Sequence, residues 1–324
     1  MEAVYLEPLR KQLNERRERL IAAEKHLHDP ANLFNLLKQV DAALERMDKG
    51  TFGICEICHG EIEPHRLAAD PLLTVCLDDL NPQQQKALEL DLTFASKIQR
   101  NLLPKNNISF GGWEFSYHYG PAGPVSGDFC DLIKVPDGSA FFILGDVSGK
   151  GVAASLMMTH LHASVRSLLS FGLTVSEMVE RTNRLFCEST MDSNYATMVM
   201  GMVSPSGEAE ICNAGHNPPL LFSNGKITPV TATGIPVGLF CESFYSTHKF
   251  QMNTHDSLLL YTDGLTEASS NGVEYGEERV ISLFTKNSGM PADLLVESFL
   301  IENKEFVKHS PPADDLTIMV IRKQ

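Results

Sequence analysis

The sequence predicts an α+β protein, a layered domain of strands and helices preceded by a helical, cysteine-bearing module. Three observations carry this. After about residue 108, strand pairs come first, two helices follow and strands return, which fits a layered α+β domain and not a doubly wound parallel sheet. Ahead of them, Cys55 and Cys58 form a Cys-x-x-Cys knuckle and Cys76 opens a second. Four acidic residues, Asp128, Asp146, Asp263 and Asp314, stand at the ends of apolar runs or in glycine-flanked turns.

In chain order, residues 1–28 and 31–49 read as two helices broken at Asp29–Pro30. The second places Leu33, Leu36, Leu37, Val40, Ala43, Leu44 and Met47 on one face. These form a helical segment, 1–49, ahead of a cysteine module, 50–82. Residues 83–104 predict a linker helix that stops at Pro104. Its stripe of Leu88, Leu92, Ala95, Ile98 and Leu102 must pack on another domain or on a second copy of itself. Residues 105–324 form the main domain. There FCDLIKVPDGSAFFILGDV is a hairpin about Asp137–Gly138, and 151–171 and 175–190 are helices. YATMVMGMVSPSGEAEICNAG is a second hairpin, turning at Ser206–Gly207, and its MVMGM reads as buried strand. PLLFSNG, the stretch around HKFQM, DSLLLYTD and LTIMVIRK supply the later strands.

The chain has 324 residues, 43% hydrophobic and 21% charged, a globular composition with room for about two domains. A formal charge of -14 argues against non-specific nucleic-acid binding and suits sites that hold cations. MEAVYLEPLRKQLNERRERL lacks the apolar core of a secretory signal, and no apolar run approaches the roughly 20 residues of a membrane span. Cys130, Cys187, Cys212 and Cys241 are scattered singly, so a reduced, cytoplasmic protein is the simplest reading.

Any one Asp-Gly or Gly-Asp is an ordinary turn. Three of these with Asp314 of ADDL, each adjoining a β run, fit hard divalent cations such as Mg2+ or Mn2+, which take oxygen ligands. Two such ions about 4 Å apart can share a carboxylate and activate a bridging water for attack on a phosphoryl centre.

SGDFCD, GDVSGKGVAASLMM, NAGHNPPLL, GIPVGL, TDGLTEA and ADDLT, in that order, resemble the metal-dependent PPM (protein phosphatase 2C-like) Ser/Thr phosphatases. More narrowly, the chain is similar to their bacterial SpoIIE-like branch, from about residue 90 to 324. The resemblance implies a β-sandwich flanked by helices, two Mn2+ or Mg2+ ions, and direct attack by a bridging water without a phosphoenzyme. Asp146 would be the catalytic bridge between the metals. Asp128 and the Val147 carbonyl would hold one ion, Asp263 and Asp314 the other, with Asp315 competing with Asp314. Gly145, Gly149 and Gly151 would let the chain bend around them. The implied substrate is a phosphoprotein such as an anti-sigma-factor antagonist, and the linker helix is expected to make a homodimer.

Other polar groups read as structural or solvated. His216 has no Ser or Cys partner beside it. His160 and His162 do not share a helix face. Lys150 sits in a glycine-flanked turn, solvated or approaching a substrate phosphate. GDVSGKG lacks the spacing of a P-loop.

QVDAALERMDKGTFGICEICHGEIEPHRLAADPLLTVCLDD resembles a DksA/TraR-type zinc finger, with Asp79 where the fourth cysteine belongs. Cys55, Cys58, Cys76 and Asp79 would hold one Zn2+, because zinc accepts carboxylate oxygen. His59 and His65 are rival fourth ligands, and a metal-free finger packed on Leu67, Leu72, Leu73 and Val75 is the bland alternative. The helices look short for binding RNA polymerase. A sensory or dimer-forming module regulating a phosphatase is the reading adopted. A finger-bearing transcription regulator with the phosphatase fold as scaffold, and a hydrolase of small phosphoesters, stay open beside it.

Overall fold

Strand runs that are apolar at every position, such as AFFILG and IMVI, need cover on both faces. The computed structural model provides it. It describes residues 6, 9–14, 17, 21, 31–79, 82–190, 194–270, 272–308 and 314–324. The chain divides into two units, Met1–Asp91 and Leu92–Gln324.

In the first unit, α1 (Ala31–Asp48) buries Val40, Ala43 and Met47 against Leu9, Leu13, Phe52, Ile62 and Leu67. Positions 6, 9–14, 17 and 21 are helical, as expected for the first helix. The break at Asp29–Pro30 and the side chains of Leu33 and Leu36 lie outside the described residues. After the cysteine knuckle comes α2 (Pro64–Ala69), with proline in its first turn, where a missing N–H costs nothing. The α3 helix follows over Pro82–Leu102. On it Leu92, Ala95 and Leu102 are half-buried, while Leu90, Phe94 and Ile98 form the exposed line, Phe94 at 66%. Of the stripe expected to pack, Leu92, Ala95 and Leu102 are covered while Leu88 and Ile98 stay exposed beside Leu90 and Phe94.

The second unit has two antiparallel sheets. One has the order β1 (Ile108–Phe110), β2 (Trp113–Gly120), β13 (Leu316–Lys323), β10 (Ser257–Tyr261), β7 (Leu220–Ser223), β8 (Lys226–Pro229). The other runs β3 (Phe129–Lys134), β4 (Ala140–Val147), β5 (Ala196–Val203), β6 (Glu208–Ala214), β9 (His248–Gln251). A short ribbon of β11 (Ser269–Ser270) and β12 (Val273–Glu274) stands apart from both. Alternation of side chains divides each central strand between two cores. Phe142 and Leu144 of β4 meet Leu258, Leu260, Met319 and Ile321 between the sheets. Phe141 and Ile143 face outward to α4 (Gly151–Leu168) and α5 (Val175–Ser189) through Met158, Leu161, Val179 and Phe186. On the far side, Leu259, Tyr261, Ile318 and Val320 pack against α7 (Glu277–Asn287) and α8 (Ala292–Val307).

The result is helix, sheet, sheet, helix: the layered sandwich flanked by helices that was expected. Both predicted hairpins form, with Gly138 and Gly207 at positive φ in their turns. MVMGM lies in β5, with Met198 and Met200 fully buried. Helices α7 and α8, on which the sequence reading was silent, supply the cover for the six-stranded sheet. Among the described residues no helix is long and apolar enough to cross a membrane.

Candidate functional site

The four aspartates sit where strands end. Phe129 pairs with Gly145, so Asp128 and Asp146 are the next opposite positions of β3 and β4. Asp263 opens the short α6 (Asp263–Thr266) directly after β10, and Asp314 precedes β13, whose Ile318 pairs with Tyr261. Two glycines make the approach of these segments physically possible. A Cβ on Gly127 would lie 2.8 Å from the Val147 carbonyl and 3.0 Å from Asp146 Oδ1, and one on Gly264 would lie 2.0 Å from the Asp315 carbonyl. Gly149 and Gly151, at φ of 93° and 75°, bend the chain as expected. Gly145 does not: it lies inside β4, where a Cβ would meet the Thr197 carbonyl at 2.7 Å, so its task is close packing.

Burial and mutual repulsion raise the affinity of Asp128, Asp146 and Asp263 for protons. Asp146 is pushed up to about 7, by burial first and then by Asp263, Asp314 and Asp315. Burial, and next Asp146, lift Asp128 well above the ordinary carboxylate range, although the hydroxyls of Thr317 and Thr262 donate to its Oδ2 at 2.6 and 2.9 Å. Asp263 is raised by burial and by Asp314. Carboxylates crowded this way are short of positive charge, and with the nearby Val147 carbonyl they are the hard oxygen set that Mg2+ and Mn2+ take. One cation already touches them: Lys150 Nζ lies 2.8 Å from Asp314 Oδ2.

A cleft of about 130 Å³ brings Asp146 and Asp263 together with Ser148, Tyr195, Thr197 and His216. Asp128 is 1% exposed, and neither it nor Asp314 lines the cleft. Asp315 has another task. Its Oδ1 accepts from Ala122 N, and its Oδ2 from Ser126 Oγ and Gly127 N, at 2.7, 2.6 and 3.0 Å. It thereby clamps the loop leading to Asp128. Gln99 holds the same loop by bonding Ser126 N and O. Sequence reasoning missed the supporting Thr262, Thr317 and Gln99, although both threonines stand inside the motifs TDGLTEA and ADDLT.

His216 is structural. Its Nδ1 accepts from Thr197 Oγ1 at 2.8 Å and its Nε2 donates to the Tyr261 carbonyl at 3.2 Å, with tautomer assigned from these partners. It thus ties the five-stranded sheet to the six-stranded one beneath the cleft. Burial lowers its pKa to about 4, so it is neutral at pH 7. An unfolded histidine titrates near 6.5 and takes up the proton first, so this stability is complete above about pH 6.5 and is lost as pH falls toward 4. Between pH 7 and pH 5 the loss is about 2 kcal/mol. Denaturant unfolding at both pH values should show that extra loss in the wild type and not in His216→Gln.

His162 Nε2 lies 3.1 Å from Asp131 Oδ2, and Arg166 grips both oxygens of the same buried carboxylate, pinning α4 to β3. His160 stacks on Phe186.

In the first unit, one ligand atom each from Cys55, Cys58, Cys76 and Asp79 lies within 4.8 Å of the others. Cys58 and Cys76 sulfurs are 3.7 Å apart, and Asp79 Oδ2 is 3.1 Å from the sulfurs of both Cys55 and Cys76. Tetrahedral zinc with bonds of about 2.3 Å to sulfur sets sulfurs about 3.8 Å apart, so the donor set fits. Backbone N–H groups of Ile57 and Cys76 point at Cys55 Sγ, and that of Gly60 at Cys58 Sγ, each at 3.4 Å. His59 is not in the group, and the side chain of His65 lies outside the described residues. Glu63 and Arg66 brace the returning segment by accepting from Leu77 N and donating to the Val75 carbonyl.

Comparison with known proteins bears on family and fold. The profile of the prokaryotic dksA/traR C4-type zinc finger matches residues 50–78, ending one residue before Asp79. Protein IcfG of Synechocystis sp. is 26% identical over 265 residues, 72% of this chain but 41% of that protein, so the chain spans less than half of this relative. Phosphoserine phosphatase RsbU of Bacillus subtilis is 23% identical over 74% of this chain and 72% of its own length. Among solved structures, the SiaA-PP2C domain of Pseudomonas aeruginosa superposes with a TM-score of 0.65 at 19% identity, over 74% of this chain and 98% of that domain, which establishes the PP2C fold. The profile described as Stage II sporulation protein E (SpoIIE) matches residues 136–324, more than half of the chain. The chain belongs to the SpoIIE family.

Proposed function

We propose that the chain is a Mn2+- or Mg2+-dependent phosphoserine/phosphothreonine protein phosphatase regulated by its N-terminal module. The observation that carries this is the crowding of carboxylates at the strand ends, where burial and neighbouring charge raise the proton affinity of Asp128, Asp146 and Asp263 and divalent ions would relieve the repulsion. In this reading Asp146 would hold both ions, Asp128 and the Val147 carbonyl would hold one, and Asp263 and Asp314 the other. The ions supply Lewis acidity and neutralise charge on the phosphoryl oxygens. The chain's own residues do the rest. Asp315 and Gln99 hold the loop that presents Asp128. Thr262 and Thr317 fix the Asp128 carboxylate, and His216 keeps the two sheets in register beneath the cleft. Asp315 spends both oxygens on the loop at Ala122, Ser126 and Gly127, whereas one Asp314 oxygen meets only the exposed, displaceable Lys150, which favours Asp314 as the cation ligand.

Phosphoserine phosphatases among the relatives, RsbU and RsbP of Bacillus subtilis, support a phosphoprotein substrate. A small regulator of the anti-sigma-factor-antagonist kind is the class proposed. The domain division is 1–49, 50–82, 83–104 and 105–324, with one Zn2+ on Cys55, Cys58, Cys76 and Asp79. The test is phosphate release from phosphoserine peptides with each ion, against the same assay on a small phosphoester.

The exposed Leu90–Phe94–Ile98 line supports a homodimer through α3. Phe94→Lys with Ile98→Lys should convert a dimer to monomer in light scattering at micromolar concentration. An unchanged mass would leave α3 as a tether only.

A further inference from the structure

Lys150 is placed in a way that neither packing nor capping requires. It is the N-cap of the 18-residue α4, yet its side chain makes no cap bond. Gly149 and Gly151 flank it at positive φ, with nothing within 4 Å of where their Cβ atoms would be. Its side chain is 67% exposed, and its tip reaches Asp314 Oδ2 at 2.8 Å, while the other Asp314 oxygen accepts from Asp315 N. Asp263 and Asp315 add to the negative field around the ammonium. A lysine on an open, glycine-flanked turn gains little from packing, so charge is what places it.

We propose that Lys150 is a tethered counter-cation that shares Asp314 with the divalent ion and then binds the oxygens of the substrate phosphoryl group. The inference rests on the reading of Asp314 as a cation ligand. An ammonium and a divalent ion on one carboxylate repel each other, so each weakens the other's hold. The ion has the larger charge and takes Asp314. The ammonium stays on its four-carbon stem beside the cleft, where the next negative charge to arrive is the phosphoryl group. Lysine suits this exchange, being a point charge with rotatable donors and no fixed fork. Lys150 is thus a substrate-contacting residue whose loss has opposite effects on the affinity for ion and for substrate.

The experiment uses the zinc-replete full chain as wild type, Lys150→Met and Lys150→Arg. Calorimetric titration with Mn2+ alone should show Lys150→Met binding the ion about two- to five-fold tighter, the range of a half-exposed ion pair. At saturating Mn2+ the same variant should raise KM for p-nitrophenyl phosphate about tenfold, as loss of one charge-assisted hydrogen bond does, with kcat changed much less. Lys150→Arg should return both values toward wild type. Unchanged or weaker Mn2+ binding in Lys150→Met would overturn the sharing of Asp314, and an unchanged KM would overturn the contact with substrate. Failure of the wild type to bind Mn2+ would instead overturn the proposed function beneath the inference, a separate result.

Discussion

Asp146→Asn should lower kcat/KM for phosphoserine hydrolysis by at least about 10³-fold, while the far-ultraviolet circular dichroism and the unfolding midpoint stay near wild type. The residue is half-buried at the end of β4, and its carboxyl is pushed up to about 7 by burial and by three neighbouring aspartates. Asparagine keeps its shape and relieves that repulsion, so the fold loses nothing. What would be lost is one negative charge that the proposed reading places between two cations, a contribution of several kcal/mol to the reaction, and each 1.4 kcal/mol is about tenfold in rate. Phosphate release at saturating Mn2+ is the measurement, and a variant within tenfold of wild type would remove Asp146 from the bridging position.

Cys55→Ser should empty the zinc site and melt the finger. Cys55 is completely buried in the core that joins α1 to the knuckle, together with Cys76, Phe52, Ile62 and Leu67. That core is small, and a structural zinc contributes its binding energy directly to folding, on the order of 10 kcal/mol in finger peptides. Elemental analysis of the full chain should fall from about one zinc per chain to none, with hydrogen-exchange protection of 50–79 lost. Asp79→Ala should keep the sulfurs and bind zinc more weakly. A wild-type chain that is zinc-free yet protected over 50–79 would make the finger a packing scaffold.

Much of the site was legible because its signals are local. Each aspartate adjoins a run of apolar residues, and a strand presents its end residue wherever the strand goes. The hairpins at Asp137–Gly138 and Ser206–Gly207 are local too. Pairings between distant segments were not legible. Asp315 and Asp314 are neighbours of the same type, and only the fold shows that Asp315 grips a loop 188 to 193 residues earlier while Asp314 meets Lys150. His216 is set apart by Thr197 and the Tyr261 carbonyl, partners on two other strands. The exposed Leu90 and Phe94 of α3 were not legible, because apolar residues lie on both faces of that helix and periodicity alone does not choose between them.

The most direct test of the two-cation phosphatase reading is phosphate release from a phosphoserine peptide by the full wild-type chain, followed as Mn2+ is titrated into chelator-treated protein. Turnover should be absent in chelator, rise with Mn2+ and saturate. Turnover that proceeds unchanged in excess chelator would contradict a phosphatase built on Asp128, Asp146, Asp263 and Asp314.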